Sequence, residues 1–180
     1  MGWDLSQPPN SILLIQQISV SIKEIFRFKE GRGYPWPRPE RCPRCGHTRL
    51  WGHGFVSAYF DGYGKPLWLR RYRCPLCRLV LRLRPAGYFQ RFQSSIETIR
   101  QSLAYRFYHH VWPPGSSRQR QGHWVRSLLR KVKLYLGLSC LEGVLEGFDR
   151  LVCLRINPVS RSIESGKGFV FMDSTEECRC

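Results

Sequence analysis

A chain of 180 residues, 42% hydrophobic and 13% aromatic, has room for one or two small domains and too much apolar content for wholesale disorder. Its 29 Lys and Arg stand against 13 Asp and Glu, and a formal charge of +16 points to a polyanionic partner such as DNA, RNA or an anionic membrane. No run of about 18 apolar residues occurs, so no membrane span is expected, and the start has neither a basic segment nor a cleavage site that would mark a secretory signal.

Residues 1–10 read as a loose tail, in which Met1, Gly2 and Ser6 fit a myristoylation pattern only loosely. Over 11–30, Ile15, Ile18, Ile22, Ile25 and Phe26 have helical spacing, while Ile18, Val20 and Ile22 also alternate as in a strand, and the pattern leaves both open. "GRGYPWPRPE", 31–40, reads as a linker, because its prolines and glycines continue neither a helix nor a central strand.

Residues 41–86 read as β. "RLWGHGFVSAYF" is rich in aromatic and β-branched residues, "DGYGK" supplies a turn, and "PLWLRRYRC" returns. "RLVLRLR" then sets Leu79, Leu81 and Leu83 against Val80, Arg82 and Arg84, giving a hairpin plus a third strand. Most of the rings Trp51, Phe55, Tyr59, Phe60, Tyr63, Trp68 and Tyr72 are expected to form the core of so small a sheet. The same rings interleave with arginines in a manner that also suits stacking on bases.

Two knuckles bracket the hairpin: Cys42-x2-Cys45 and Cys74-x2-Cys77, with 28 residues between them. A tetrahedral Zn²⁺ takes four thiolates at about 2.3 Å, and each Cys-x2-Cys turn curls two thiolates onto one ion. The pattern therefore predicts a four-cysteine zinc site, with Gly46 relieving the first turn and Arg78 standing where the second knuckle would have its glycine. His47 and His53 are the competing ligands nearby. A redox dithiol would need a Cys-x-x-Cys at a helix start in a βαβ pattern, which this segment lacks. Eight cysteines without an export signal favour metal or free thiols over a disulfide framework.

From Ser94 the period becomes helical. Ile96, Ile99, Leu103 and Phe107 form one stripe behind a serine cap, and "WPPGSS" ends it. A second helix is expected from Ser116 or Ser117 to Leu136 or Gly137, with Trp124, Leu128, Val132 and Tyr135 or Leu136 inside. Arg118, Gln119, Arg120, Gln121 and His123 occupy its first turns and suit base edges. Arg126, Arg130, Lys131 and Lys133 follow, and Lys131 and Lys133 suit phosphates. Between Asp61 and Glu142 the only acid is Glu97, against 16 Lys and Arg. A short acidic helix is expected from Cys140 to about Leu151, and "GFVFMD" reads as a last strand. Asp173 with Glu176 and Glu177 is too local a carboxylate set for two-metal phosphoryl transfer, so no enzyme is expected. Cys140, Cys153, Cys178 and Cys180 are too irregularly spaced to predict a second metal site.

"CPRCG", "LWGHG", "RRYRCPLC" and "LRLRPAGYFQRFQSSIETI" resemble short bacterial zinc-ribbon proteins of an uncharacterised family, which are similar in turn to the amino-terminal zinc-ribbon and helix-turn-helix part of insertion-sequence transposases. The resemblance covers about residues 40–135 and implies transposon-associated DNA binding.

The expectation is an α+β protein: an N-terminal segment and linker (1–39), a zinc ribbon (40–90), a basic helical, helix-turn-helix-like segment (91–155) and a tail (156–180). Zn²⁺ would sit on Cys42, Cys45, Cys74 and Cys77. DNA would lie against Arg70, Arg71 and Arg73 of the ribbon and Arg118, Arg120, Arg126, Arg130, Lys131 and Lys133 of the helix, in the cytoplasm at the nucleoid. The competing reading is a zinc-ribbon adaptor for a protein partner, and a second copy of the chain or another protein remains open as a further partner.

Overall fold

The computed structural model describes residues 13–137 and 143–162. They form two compact units, one up to Ala86 and one from Gly87.

The first unit is a four-stranded sheet. Its strands are β1 (Leu13–Ile18), β2 (Trp51–Ala58), β3 (Leu67–Arg73) and β4 (Val80–Pro85), in the order β1-β4-β3-β2. The hairpin and third strand expected from the sequence are β2, β3 and β4, paired antiparallel. The ambiguous stretch at 11–30 is divided between both readings. Leu13–Ile18 is a strand that pairs in parallel with β4, and one turn of helix, α1 (Ile22–Phe26), follows behind a Ser21 cap.

Alternation gives the sheet two faces. Tyr72, Leu81 and Leu83 lie on one, where they are buried with Ile18, Leu50, Leu79, Cys42 and Cys74. Ile15, Leu67 and Leu69 lie on the other, together with Arg71 and Arg82. Residues 31–40 form no helix or strand beyond the end of a short 3-10 turn, as their prolines predict, yet they are anchored. Trp36 packs against the first face, its indole Nε1 donates to the Gly31 carbonyl at 2.6 Å, and its own carbonyl accepts from the Tyr72 hydroxyl at 3.4 Å.

The second unit is helical: α2 (Ile96–His109), α3 (Arg118–Lys131), which runs on into a turn of π-helix at Val132–Leu136, and α4 (Val144–Cys153). Serine caps start the first two. The Ser95 hydroxyl accepts from the Thr98 amide at 3.0 Å and Ser117 accepts from Arg120 at 3.3 Å. The expected apolar stripes converge on one core of Ile99, Leu103, Trp124, Leu128, Val132, Phe148 and Leu151. A two-pronged pair, Arg100 to Asp149 at 2.8 and 2.7 Å, joins α2 to α4. Residues 110–117 connect α2 to α3 without helix, a longer connection than the turn of about three to four residues that defines a helix-turn-helix. Among the described residues no helix is long and apolar enough to cross a membrane. The expected strand "GFVFMD" and the carboxylates Asp173, Glu176 and Glu177 lie outside the described residues.

Candidate metal centre and basic surfaces

The two knuckles fold alike because their backbones close the same two hydrogen bonds. The Cys42 amide donates to the His47 carbonyl and the Gly46 amide to the Cys42 carbonyl, both at 2.8 Å. In the second knuckle the Cys74 amide donates to Leu79 at 2.9 Å and the Arg78 amide to Cys74 at 3.1 Å. Each turn needs one left-handed residue at the same place, Gly46 at φ +73° and Arg78 at φ +59°. Arg78 therefore adopts the conformation that a glycine takes without strain.

The turns bring four sulfurs together. Cys42 Sγ lies 3.5 Å from Cys77 Sγ, Cys45 Sγ lies 3.5 Å from Cys74 Sγ, and all four are within 4.8 Å of one another. A tetrahedron with metal–sulfur bonds of about 2.3 Å has sulfur–sulfur edges of roughly 3.8 Å, so the cluster has the dimensions of a four-thiolate zinc site. Cys42 and Cys74 are buried, Cys77 is half-buried and Cys45 is exposed, so the site sits at the end of the sheet with one side to solvent. Neither His47 nor His53 belongs to the cluster. Cys153 is exposed and stands apart from it, and Cys140, Cys178 and Cys180 lie outside the described residues.

Cys42, Cys45 and Cys74 hold their protons unequally. Burial works to raise Cys74, but the amides of Cys77 and Leu76 and the neighbouring Cys45 and Cys77 thiols outweigh it and bring it down to about 7. Burial pushes Cys42 up. At Cys45 the His47 amide works to lower the value, yet desolvation and the three neighbouring sulfurs together push it up to about 12. One thiolate, Cys74, thus forms readily, while Cys42 and Cys45 hold their protons until a cation displaces them, the behaviour of a metal-binding cluster.

The basic residues divide by their surroundings. On β3, Arg70 is half-buried, its guanidinium 4.8 Å from the Phe55 ring centre and 5.6 Å from that of Tyr72. Arg73 is exposed in register with Trp51, a ring 62% exposed rather than part of the expected core. Tyr59 is also exposed, whereas Phe60 and Tyr72 are buried as expected. Arg71 is half-buried and lies opposite Arg82. Sequence reasoning did not count Arg82 as a site residue, although the alternation of "RLVLRLR" already put it across from the leucines.

On α3, steps of about 100° per residue put Arg118, Gln119, Arg126 and Arg130 within one arc of about 120°, and all four are exposed. Arg120 lies outside that arc and is half-buried. Two expectations are corrected here. Lys131 is 1% exposed, and its ammonium donates to the Asn157 carbonyl and the Ser160 hydroxyl, so no phosphate can reach it. Gln121 is also buried, its amide donating to Pro113 at 2.9 Å and Ser116 at 3.0 Å, which pins the preceding segment and keeps the side chain out of reach of a base. Lys133, in the π turn, is exposed. His123 opens onto a cavity of about 350 Å³ shared with Arg91 and Arg161. Its pKa is held below the ordinary histidine value, first by burial and then by Arg161 and Arg126.

No family model matches the chain, and neither a curated protein nor a solved structure does.

Proposed function

We propose that the chain is a zinc-dependent DNA-binding protein, in which a four-cysteine ribbon and a basic helix each present arginines to a nucleic acid. The observation that carries the reading is the exposed arc of Arg118, Gln119, Arg126 and Arg130 on α3, in a stretch from Thr98 to Leu141 that contains no acid. Uncompensated guanidinium groups at helical spacing suit phosphates and guanine edges, and their number suits the release of several counterions. The ribbon adds Arg73 beside the exposed Trp51, a cation next to a ring on which a base can stack. The four cysteines supply the fold's dependence on metal, with Zn²⁺ the ion their number and softness suit. The reading assigns no catalytic residue. The likeness of the knuckles and of the "LWGHG" and "RRYRC" strands to transposase amino-terminal modules extends it to an origin in a mobile element.

The test is duplex binding against salt concentration, for the zinc-loaded wild type and for a variant with Arg118, Arg126 and Arg130 all changed to Ala. The wild type is expected to weaken steeply with salt, and the variant to bind less tightly with a flatter slope. Equal affinity and slope in the two proteins would remove α3 from the interface.

One observation favours a second reading, an adaptor that docks a protein partner. Leu76 at the tip of the second knuckle is 68% exposed, and Trp51 and Tyr59 are also in solvent. Apolar docking through these residues would be nearly indifferent to salt, which separates it from the first reading.

A further inference from the structure

Arg71 on β3 and Arg82 on β4 are register partners on an antiparallel pair, so their side chains leave the same face of the sheet directly opposite each other. Like charges in that relation repel. Nothing among the described residues relieves them, because no carboxylate pairs with either guanidinium. The Nε of each is buried and makes no hydrogen bond. Neither residue is wholly buried, however, so the pair is within reach of solvent. Burial and then the Arg71 charge lower the affinity of Arg82 for its own proton, which reflects how close the two cations stand.

The strand beside them leaves room. Between Gly52 and Phe55 the register of β2 shifts, so that His53 and Gly54 together oppose Arg71. Gly54 has φ +71°, and among the described residues beyond its chain neighbours only Arg71 Nη2, at 3.9 Å, comes within 4 Å of where a Cβ would stand. The missing side chain thus keeps the approach to the Arg71 fork open. On the other side of the pair, Arg82 is flanked by Ile15 of β1, which has no group to offer a cation.

We propose that Arg71 and Arg82 form an oxyanion site on the sheet that takes a phosphate group between their two guanidinium groups. Planar forks bind tetrahedral oxyanions through paired N–H donors, and one such anion satisfies both arginines and cancels their repulsion. The source assigned to that phosphate is a nucleic-acid backbone, and this choice rests on the DNA-binding reading above.

The test has two arms, both with the zinc-loaded full chain. In the first, wild type and Arg82→Met are melted in chloride and in inorganic phosphate at matched ionic strength. Phosphate is expected to raise the Tm of the wild type more than that of the variant, and equal shifts overturn the site. Should Arg82→Met fail to fold, Arg71→Met is read in the same way, and Arg82→Lys, which keeps the charge without the fork, is expected to lose part of the shift. In the second arm both proteins are titrated with a mixed-sequence DNA duplex. The variant is expected to bind about tenfold more weakly with a flatter salt slope. An unchanged duplex affinity beside a lost phosphate shift would assign the site to free phosphate and overturn the nucleic-acid source. A wild type that binds no duplex but keeps its phosphate shift would end the DNA-binding reading and leave the site standing.

Discussion

Arg78 and Gly46 hold equivalent places in the two knuckles, and both are left-handed. A non-glycine residue pays about 1 kcal/mol for that conformation. Arg78→Gly is therefore expected to stabilise the zinc-loaded protein by about that amount, read as a higher midpoint of denaturant unfolding with an unchanged slope. The cysteines themselves make a prediction about pH. Cys42 and Cys45 are pushed up from the ordinary thiol value, so between about pH 7 and pH 9 both are protonated in the metal-free protein while Cys74 is ionised. Metal binding must then release at least those two protons, and apparent zinc affinity should rise with pH by at least two log units per pH unit. Below pH 7, Cys74 is protonated as well and the dependence steepens by one more proton. Competition with a chelator of known affinity at several pH values gives the slope, and a slope of one or less would contradict the assignment. This site was legible in the sequence because it depends on short-range geometry. Two Cys-x2-Cys turns and a hairpin between them leave the four sulfurs few other places to go. The strained Arg78 was legible as well, as a glycine position without its glycine.

At the scale of the element, α3 shows where sequence reading stops. Its start, its serine cap and its apolar stripe of Trp124, Leu128 and Val132 all follow from local pattern. What befalls Lys131 does not, because its partners, Asn157 and Ser160, come from a loop well beyond the helix. A lysine in an arginine-rich run reads as a surface charge, and only the packed loop turns it into an internal support. The two roles predict opposite behaviour. Lys131→Ala should destabilise the protein by about 2 kcal/mol, because it removes the ammonium that ties the Asn157 carbonyl and Ser160 hydroxyl and empties a buried place beside the core, and should leave the salt slope of duplex binding unchanged. Arg126→Ala should leave stability within about 0.5 kcal/mol and reduce that slope by about one. Thermal unfolding and salt titration of the two variants decide between these outcomes. Strand β1 stayed open between helix and strand in the sequence for a related reason. Ile15 and Ile18 serve opposite faces of the sheet, so their spacing mimics a helix, and the partner that makes the segment a strand is β4.

At the scale of the whole molecule, the two units each have an apolar core and differ in their cysteines. The sheet unit gathers four cysteines at its knuckles beside its core, whereas the helical unit has an apolar core of nine buried residues and, among the described residues, no cluster of metal-ligating groups. Chelation should therefore unfold the unit up to Ala86 and leave most of the helical signal in circular dichroism, with zinc restoring the remainder. Loss of the whole helical signal on chelation would show that the second unit depends on the first. The parallel pairing of β1 adds a constraint in time. Leu13 pairs with Val80 and Ile18 with Pro85, so β1 has no partner until 67 further residues have been added. The hairpin β2–β3 needs only a short turn to close, and β4 follows close behind it. Assembly of the four-stranded sheet should thus proceed from the hairpin outward, with β1, made before its partner, the last of the four strands to dock. Until then Ile15 and Ile18 are uncovered, and the nascent chain carries an apolar edge that a chaperone can hold. Pulse-labelled hydrogen exchange during refolding would report that order, with the amides of 13–18 protected after those of 67–73.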